Sequence, residues 1–384
     1  MNTIKVSNPF IIGHYEAPEY FCDREEEVKT LIKHIENGRN VTLTSPRRLG
    51  KTGLICHLFA QKEITERYYT FFVDLYATSS LREFVALMGR VIYEDLKRRD
   101  ERWSDKFIRL LASLRPGVKF DSLTGDLGFD IGLGEIVSPQ VSIDEIFDYL
   151  DKADRHCIVA IDEFQQIMQY DEKNVEALLR TKIQHCRNVT FIFTGSKRHM
   201  MTQMFHTQSK PFYQSTIGMT LDVINKEKYV AFAQGLFDSY GKTIDAEAVR
   251  MVYDRYFGYT WYVQIVMNEL FFMTDKGGTC SSEMIEPAVA SIIDSQTNYY
   301  KTMLSVCGTR QREVLTAMAK EEFRRREYVD GITTSDFIKR YSLSSASSVQ
   351  AAIKGLIDKN IVMPEDGKYH IDDLFFTEYI NRYS

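Results

Sequence analysis

Residues 45–53 combine small, basic and hydroxyl side chains in the pattern of a phosphate-binding loop. The stretch reads Ser45-Pro46-Arg47-Arg48-Leu49-Gly50-Lys51-Thr52-Gly53. In such a loop, consecutive backbone N–H groups surround phosphates at the positive end of a helix, and a small residue such as Gly50 lets the backbone approach them. Lys51 has the position that reaches the β- and γ-phosphates, and the Thr52 hydroxyl has the position that binds Mg²⁺. The stretch therefore predicts a site for a nucleoside triphosphate.

The loop departs from the common pattern at its first position, where Ser45 stands in place of glycine. Glycine tolerates backbone bends that other residues resist, so the serine weakens the prediction. Pro46 also removes one N–H donor, whereas Arg47 and Arg48 add positive charge. Taken alone, the loop is compatible with a nucleotide site and with a chance Gly-Lys-Thr sequence.

An acidic pair at the end of a later apolar run favours the nucleotide site. The stretch IVAIDEF places Asp162 and Glu163 directly after a buried strand, and ligands of open α/β sheets bind at the carboxyl ends of the strands. Asp162 is suited to hold Mg²⁺, and Glu163 to deprotonate an attacking water. Thr194 and Ser196 follow the next apolar run, where a hydroxyl group is able to contact the γ-phosphate or the water.

Strands and helices alternate through the first part of the chain, which predicts a mostly parallel sheet in an α/β domain over residues 1–222. The stretches that predict strands lie at residues 40–45, where apolar and polar residues alternate, and at residues 68–76, 156–164, 188–196 and 216–224. The first run leads directly into the loop and a helical pattern follows it, as a phosphate-binding loop requires. A glycine-rich alternation at residues 119–136 predicts a hairpin, and Ser142 with Glu145 has the spacing of a helix N-terminal capping box.

The remaining sequence predicts two smaller domains. Residues 223–305 show helical patterns and no strand pattern, and the last helical pattern runs unbroken over residues 283–304. Residues 306–384 show three helical patterns and then two short strands around a turn at Pro364–Gly367, which predicts a winged helix-turn-helix domain.

The charges of the last domain leave its partner open. A winged helix often places its third helix in the major groove of DNA, yet this domain has equal numbers of basic and acidic residues. The candidate recognition helix carries only Lys354 and Lys359, and the one dense basic run is Arg324–Arg326. DNA and a protein, including a second copy of the chain, therefore both remain possible partners.

The bulk composition is that of a soluble globular protein. The 384 residues are 44% hydrophobic and 26% charged, with a formal net charge of -5, so no global basic field attracts nucleic acid. The six cysteines are scattered without a C-x-x-C pair, which argues against disulfides and zinc and favours a reducing cytoplasm. No apolar run is long enough for a membrane helix, and the N-terminal residues have no secretory signal pattern.

Four stretches, in this order, resemble the archaeal-type ATPase family within the AAA+/STAND group of P-loop NTPases: SPRRLGKT, IVAIDEFQQI, FIFTGSKRHMM and KPFYQSTIGMTLDVI. The resemblance covers about residues 8–224, and the later domains resemble the family in architecture more than in sequence. It implies an α/β P-loop NTPase domain with sheet order 5-1-4-3-2, followed by a helical lid domain and the winged helix. It also implies ATP or ADP and Mg²⁺ as ligands.

The resemblance assigns further residues to the nucleotide site. It places the adenine near Pro9 and Phe10 and near the segment Phe21–Arg24, so that Arg24 becomes a candidate contact. The Gly-x-Pro motif of the family's lid corresponds to Gly258-Tyr259-Thr260, which lacks the proline and puts the lid contact in doubt. An arginine that often follows the PFY stretch is also absent, which leaves Arg198 as the alternative arginine finger.

Three functions are compatible with these patterns. The leading interpretation is a molecular switch that binds Mg-ATP and hydrolyses it slowly, with Lys51 and Glu163 as the catalytic residues. A DNA-binding regulator in which nucleotide only tunes binding is the second, and an assembly scaffold that ATP locks together is the third. The intact Asp162–Glu163 pair favours hydrolysis, and the absent lid proline leaves room for the scaffold.

Overall fold

A computed structural model describes residues 6–113, 139–325, 328–365 and 367–383. The chain divides into two compact units, His14–Val223 and Ile224–Ser384 together with Met1–Gly13. The N-terminal residues thus group with the helical part of the chain rather than with the α/β part. The hairpin predicted at residues 119–136 lies outside the described residues. No helix in the described ranges is long and apolar enough to span a bilayer.

The unit His14–Val223 is built on a parallel five-stranded sheet. Its strands are β1 (Val41–Thr44), β2 (Tyr68–Asp74), β3 (His156–Asp162), β4 (Val189–Gly195) and β5 (Ile217–Thr220). They lie in the order β2-β3-β4-β1-β5 with parallel pairing throughout, which confirms the predicted order 5-1-4-3-2. The register pairs Asp74 with Asp162 and Thr44 with Gly195, so the carboxyl ends of four strands meet at one edge.

Helices cover both faces of this sheet. The described helices of the unit are α1 (Glu25–Glu36), α2 (Lys51–Ala60), α3 (Lys62–Arg67), α4 (Leu81–Arg99), α5 (Glu101–Ser113), α6 (Pro139–Asp151), α7 (Val175–His185) and α8 (Arg198–His206). Val159 of β3 belongs to one apolar cluster and its neighbour Ala160 to another, because successive strand residues point to opposite, covered faces. The predicted capping box is wrong: α6 begins at Pro139, and Ser142 is buried inside the helix.

The unit that contains Ile224–Ser384 starts with a helical region. Its helices are α9 (Lys226–Ser239), α10 (Ala246–Arg255), α11 (Thr260–Met273), α12 (Ile285–Ser295) and α13 (Thr297–Ser305). The sequence predicted no strand here, but β6 (Thr243–Ile244) and β7 (Thr279–Cys280) form a short parallel pair. The predicted unbroken helix is also wrong, because it is interrupted at Gln296 between α12 and α13.

A winged helix follows, as predicted. It consists of α14 (Thr309–Arg325), α15 (Ser335–Arg340), α16 (Ala346–Asp358), the antiparallel strands β8 (Val362–Glu365) and β9 (Lys368–Ile371), and α17 (Leu374–Tyr383). Pro364 lies within β8 rather than in the turn. The last helix was not predicted, and its apolar face contributes the buried Phe375, Phe376 and Ile380 to the core of this unit.

Polar contacts join the winged helix to the helical region within this unit. Arg255 of α10 forms an ion pair with Glu378 of α17 at 2.6 Å. The Tyr262 hydroxyl donates to the carbonyl oxygen of Asp372 at 3.1 Å and accepts from the Leu374 N–H at 3.0 Å. The helical region and the winged helix accordingly belong to one compact unit.

Candidate functional site

The phosphate-binding loop connects β1 to α2 and contains two left-handed residues. Arg48 has φ 69° and Gly50 has φ 89°, a conformation that glycine adopts without strain. Ser45 is not among the described residues with positive φ. The bend expected to require glycine therefore lies elsewhere in the loop, which explains why a serine is tolerated at position 45.

Ser45 also contacts the loop lysine. Its side chain is completely buried, and the Lys51 ammonium donates to the Ser45 hydroxyl at 3.2 Å and to the carbonyl oxygens of Ser45 and Pro46 at 3.0 and 3.1 Å. Burial lowers the pKa of Lys51, and the negative charges of Asp162 and Glu163 oppose that change. The lysine is thus held at the loop and lies in the electrostatic field of the acidic strand end.

Thr52 and Asp162 meet although 110 residues separate them in the sequence. The Thr52 hydroxyl donates to Oδ2 of Asp162 at 2.8 Å. Oδ1 of Asp162 accepts from the Thr194 hydroxyl and from the Glu163 N–H, the latter at 2.9 Å. A hydroxyl and a carboxylate oxygen are the hard ligands that Mg²⁺ prefers, so this pair fits the predicted metal position.

Glu163 directly follows β3 in a left-handed conformation with φ 50°. Its Oε2 accepts hydrogen bonds from the Ser196 hydroxyl at 2.9 Å and from the Gln165 side-chain amide. Ser196 in turn accepts from Nε of Arg47 at 3.3 Å. The loop, the acidic strand end and the residue after β4 are therefore connected through Ser196.

Asp74 is a further acidic residue of this edge, which the sequence motifs did not indicate. It ends β2, and the register places it beside Asp162. Partial burial raises the pKa of Asp74, the charges of Asp162 and Glu163 act in the same direction, and a hydrogen bond from the Tyr76 N–H opposes them. The stretch YYTFFVD at residues 68–74 predicts a strand, and the acidic residue at its end was the signal from which Asp74 could have been found.

An aromatic cluster formed by Tyr15, Phe21 and His57 packs beside the first turns of α2. The Phe21 and His57 rings stack with centroids 4.4 Å apart, and the Tyr15 hydroxyl is 3.0 Å from Nδ1 of His57. A Cβ atom added to Gly53 would lie 3.1 Å from the Phe21 ring, so the cluster reaches the end of the phosphate-binding loop. Burial lowers the pKa of His57, which favours its neutral form. The sequence had indicated only Phe21.

Other residues assigned through the family resemblance have structural partners. Arg24 is buried, pairs with Glu27 at 2.8 Å and donates to the Asp222 carbonyl oxygen at 2.7 Å. Phe10 is fully buried in the other unit, where its ring contacts those of Phe237 and Phe271, and Pro9 precedes it in the same N-terminal segment.

The motif Gly258-Tyr259 also belongs to the unit that contains the helical region. A Cβ atom at Gly258 would lie 2.5 Å from the Tyr253 hydroxyl, so the turn between α10 and α11 requires glycine. The Tyr259 hydroxyl forms a hydrogen bond with that of Tyr328 in the winged helix. The sheet unit therefore brings together the loop, Asp162, Glu163, Thr194 and Ser196, whereas Pro9, Phe10, Gly258 and Tyr259 lie in the second unit.

A parallel sheet of order 2-3-4-1-5, with this loop after β1 and this acidic pair after β3, defines a P-loop ATPase. A family model for an ATPase domain predominantly from Archaea matches residues 21–264, and a model for a probable winged helix domain matches residues 298–382. The chain belongs to this ATPase family, whose members bind and hydrolyse ATP. A search of curated proteins found no match.

Solved structures share the fold over nearly the whole chain. The Walker-type ATPase PABY2304 of Pyrococcus abyssi is 18% identical, with a TM-score of 0.64 over 97% of this chain and 99% of that one. The ORC2 protein of Aeropyrum pernix, solved as ADPNP–ADP complexes, is 13% identical, with a TM-score of 0.57 over 97% of each chain. The ORC1 protein of the same organism, solved with DNA, is 12% identical, with a TM-score of 0.51 over 94% of this chain and 93% of that one.

Proposed function

We propose that this ATPase is a nucleotide-dependent molecular switch that hydrolyses Mg-ATP at the carboxyl edge of its sheet. The hydrogen bond between Thr52 and Asp162 carries the proposal, because it joins the phosphate-binding loop to the acidic strand end. Glu163 directly follows Asp162 and is bonded to Ser196. The same few residues thus supply a phosphate site, a metal position and a general base.

In this mechanism the loop amides and Lys51 bind the phosphates and neutralise the charge that develops on them. Glu163 accepts a proton from a water molecule. The water oxygen bonds to the γ-phosphorus as the bond to the β–γ bridging oxygen breaks, and ADP leaves with that electron pair. Thr52 and Asp162 would hold Mg²⁺, which when bound shields the phosphate charges.

The aromatic cluster Tyr15–Phe21–His57 is the proposed site for the adenine. It lies beside the end of the loop, and its three side chains are partly exposed. Aromatic and neutral imidazole rings offer flat, apolar faces to a nucleotide base. Arg24 acts in this proposal through its ion pair with Glu27 and its bond to Asp222, which fix the segment that carries Phe21.

Phosphate release from Mg-ATP tests the hydrolytic site in the wild type, Glu163→Gln and Lys51→Ala. Loss of the general base is expected to reduce kcat by about 10²- to 10⁴-fold while nucleotide binding persists. Lys51→Ala is expected to bind a fluorescent ATP analogue weakly, whereas Lys62→Ala, at an exposed lysine of α3, serves as the matched control. Full activity of Glu163→Gln would show that another group takes the proton.

The second unit is the proposed moving part of the switch. Arg255–Glu378 and Tyr262–Asp372 join the helical region to the winged helix, so a nucleotide-dependent movement of one would carry the other. Hydrogen–deuterium exchange with ADP and with a non-hydrolysable ATP analogue measures this. Equal exchange throughout Ile224–Ser384 in the two nucleotide states would count against a switch.

The exposed face of α16 favours a protein partner for the winged helix over DNA. Its exposed residues are Ala346, Ser347, Gln350, Ala351, Lys354 and Asp358. Lys359 is engaged with the Val306 carbonyl oxygen and with Gln311, each at 2.6 Å. The face therefore offers one lysine against one aspartate, whereas DNA affinity depends on several phosphate contacts.

Arg324 and Arg325, the two residues of the basic run that lie at the end of α14, are also engaged in ion pairs. Arg324, Arg325 and Arg340 all pair with the fully buried Glu321. Hydrogen bonds, first from Arg324 and then from Tyr341 and Arg325, lower the pKa of Glu321 to about 2 despite its burial. A gel-shift titration against salt tests the partner class, since tight and strongly salt-dependent DNA binding would contradict a protein partner.

A further inference from the structure

Gln165 places a buried amide two residues after the proposed general base. Its side chain is 2% exposed, and Nε2 donates to Oε2 of Glu163. The nitrogen must face Glu163, because a carboxylate only accepts hydrogen bonds. Within the described residues, the buried Oε1 of Gln165 has no hydrogen-bond partner.

The stability of the fold does not explain this amide. A buried acceptor without a donor is unfavourable, and an apolar side chain of similar volume would fill the same space without that cost. The space itself depends on Gly195, since a Cβ atom there would lie 2.3 Å from Oε1 of Gln165 and 2.6 Å from the sulfur of Met201. The unpaired amide oxygen of Gln165 and the lack of a side chain at Gly195 thus both accompany the placement of one hydrogen-bond donor beside Glu163.

We propose that Gln165 is a positioning residue that fixes the carboxylate of Glu163 for catalysis. Gln165 and Ser196 both donate to Oε2, which leaves Oε1 to accept the proton of the attacking water. Arg47 donates to Ser196, so the same arrangement ties the base to the phosphate-binding loop. The inference rests on the proposed role of Glu163 in hydrolysis.

The test replaces the amide by an apolar side chain of similar length. Gln165→Met is expected to reduce kcat by about 10- to 100-fold, the effect of one lost hydrogen bond to a charged group. KM for ATP is expected to stay within about twofold. Thermal stability is expected to stay equal or to rise, because the unbonded acceptor is removed. Gln169→Met, at an exposed glutamine of the same segment, is the matched control and should leave all three quantities unchanged.

A structural role for Gln165 predicts the opposite result. Lower thermal stability in Gln165→Met, together with wild-type kcat per folded molecule, would overturn the inference. Gln165→Leu repeats the measurement with a second apolar side chain. If Glu163→Gln is inactive and both Gln165 variants keep wild-type kcat, only the positioning role fails. If Glu163→Gln itself keeps full activity, the proposed general base fails and the positioning role with it.

Discussion

Glu322 of α14 offers a quantitative test of how the winged helix is held together. Its carboxyl group is buried and accepts from the Ile371 N–H at 2.9 Å and from the Thr377 hydroxyl at 3.3 Å. Burial raises the pKa of Glu322 from its ordinary value near 4.5 to about 8, and the two hydrogen bonds only partly oppose this. At neutral pH the folded protein therefore holds a proton on this carboxyl.

The difference between the pKa of Glu322 in the folded and unfolded states sets the sign and the size of the pH dependence of stability. The folded state keeps the proton to a higher pH than the unfolded state, so the contribution of Glu322 is fully present below pH 4.5 and is lost as pH rises toward 8. At about 1.4 kcal/mol per pH unit, the total loss is about 5 kcal/mol, and about 3 kcal/mol of it has occurred at pH 7. Glu322→Gln keeps an acceptor but cannot ionise, so it removes this dependence.

The assay uses the fluorescence of Trp261 in a Trp103→Phe background, where Trp261 is the remaining one of the chain's two tryptophans. Its ring centroid lies 6.3 Å from that of Phe375 in α17, so it reports on this unit. Denaturant unfolding is expected to show similar stability for wild type and Glu322→Gln near pH 5 and a more stable variant near pH 8. Glu283→Gln, at an exposed glutamate, is the control. A wild type whose stability stays constant between these pH values would refute the reasoning.

Three further variants test the space beside Gln165, the ion pair between Arg255 and Glu378, and the proposed adenine site. Gly195→Ala is expected to lower stability by about 1–3 kcal/mol and to slow phosphate release, because the added Cβ displaces Gln165; unchanged turnover would contradict this. Arg255→Met is expected to cost about 3 kcal/mol in denaturant unfolding, because it leaves the buried Glu378 unpaired, and a second change, Glu378→Leu, should restore much of the loss. Phe21→Ala is expected to weaken ATP binding by about tenfold with little change in kcat, and equal affinities would exclude the aromatic cluster as the adenine site.

The strands of the sheet followed from short stretches of sequence. β2, β3 and β4 are largely apolar and mostly buried, and such runs predict parallel strands whose two faces are covered, whereas β5 at the edge of the sheet is mostly exposed. The order itself came from the family resemblance and is confirmed by the pairing of the strands. The later helices were harder to predict, since α17 follows the wing closely and its apolar residues are explained by packing against α14, α12 and α13, which lie far from it in the sequence.

The candidate site, too, was determined partly by the sequence and partly by the tertiary structure. The sequence by itself determined that Lys51 and Thr52 follow a strand and a loop, and that Asp162 and Glu163 end a buried strand, because these patterns lie within about ten residues. Their roles remain predictions. Only the tertiary structure decided that Thr52 bonds Asp162, that Asp74 lies beside it and that Gln165 faces Glu163. Those contacts depend on strand register and on the space beside Gly195, which are set by packing between segments far apart in the sequence.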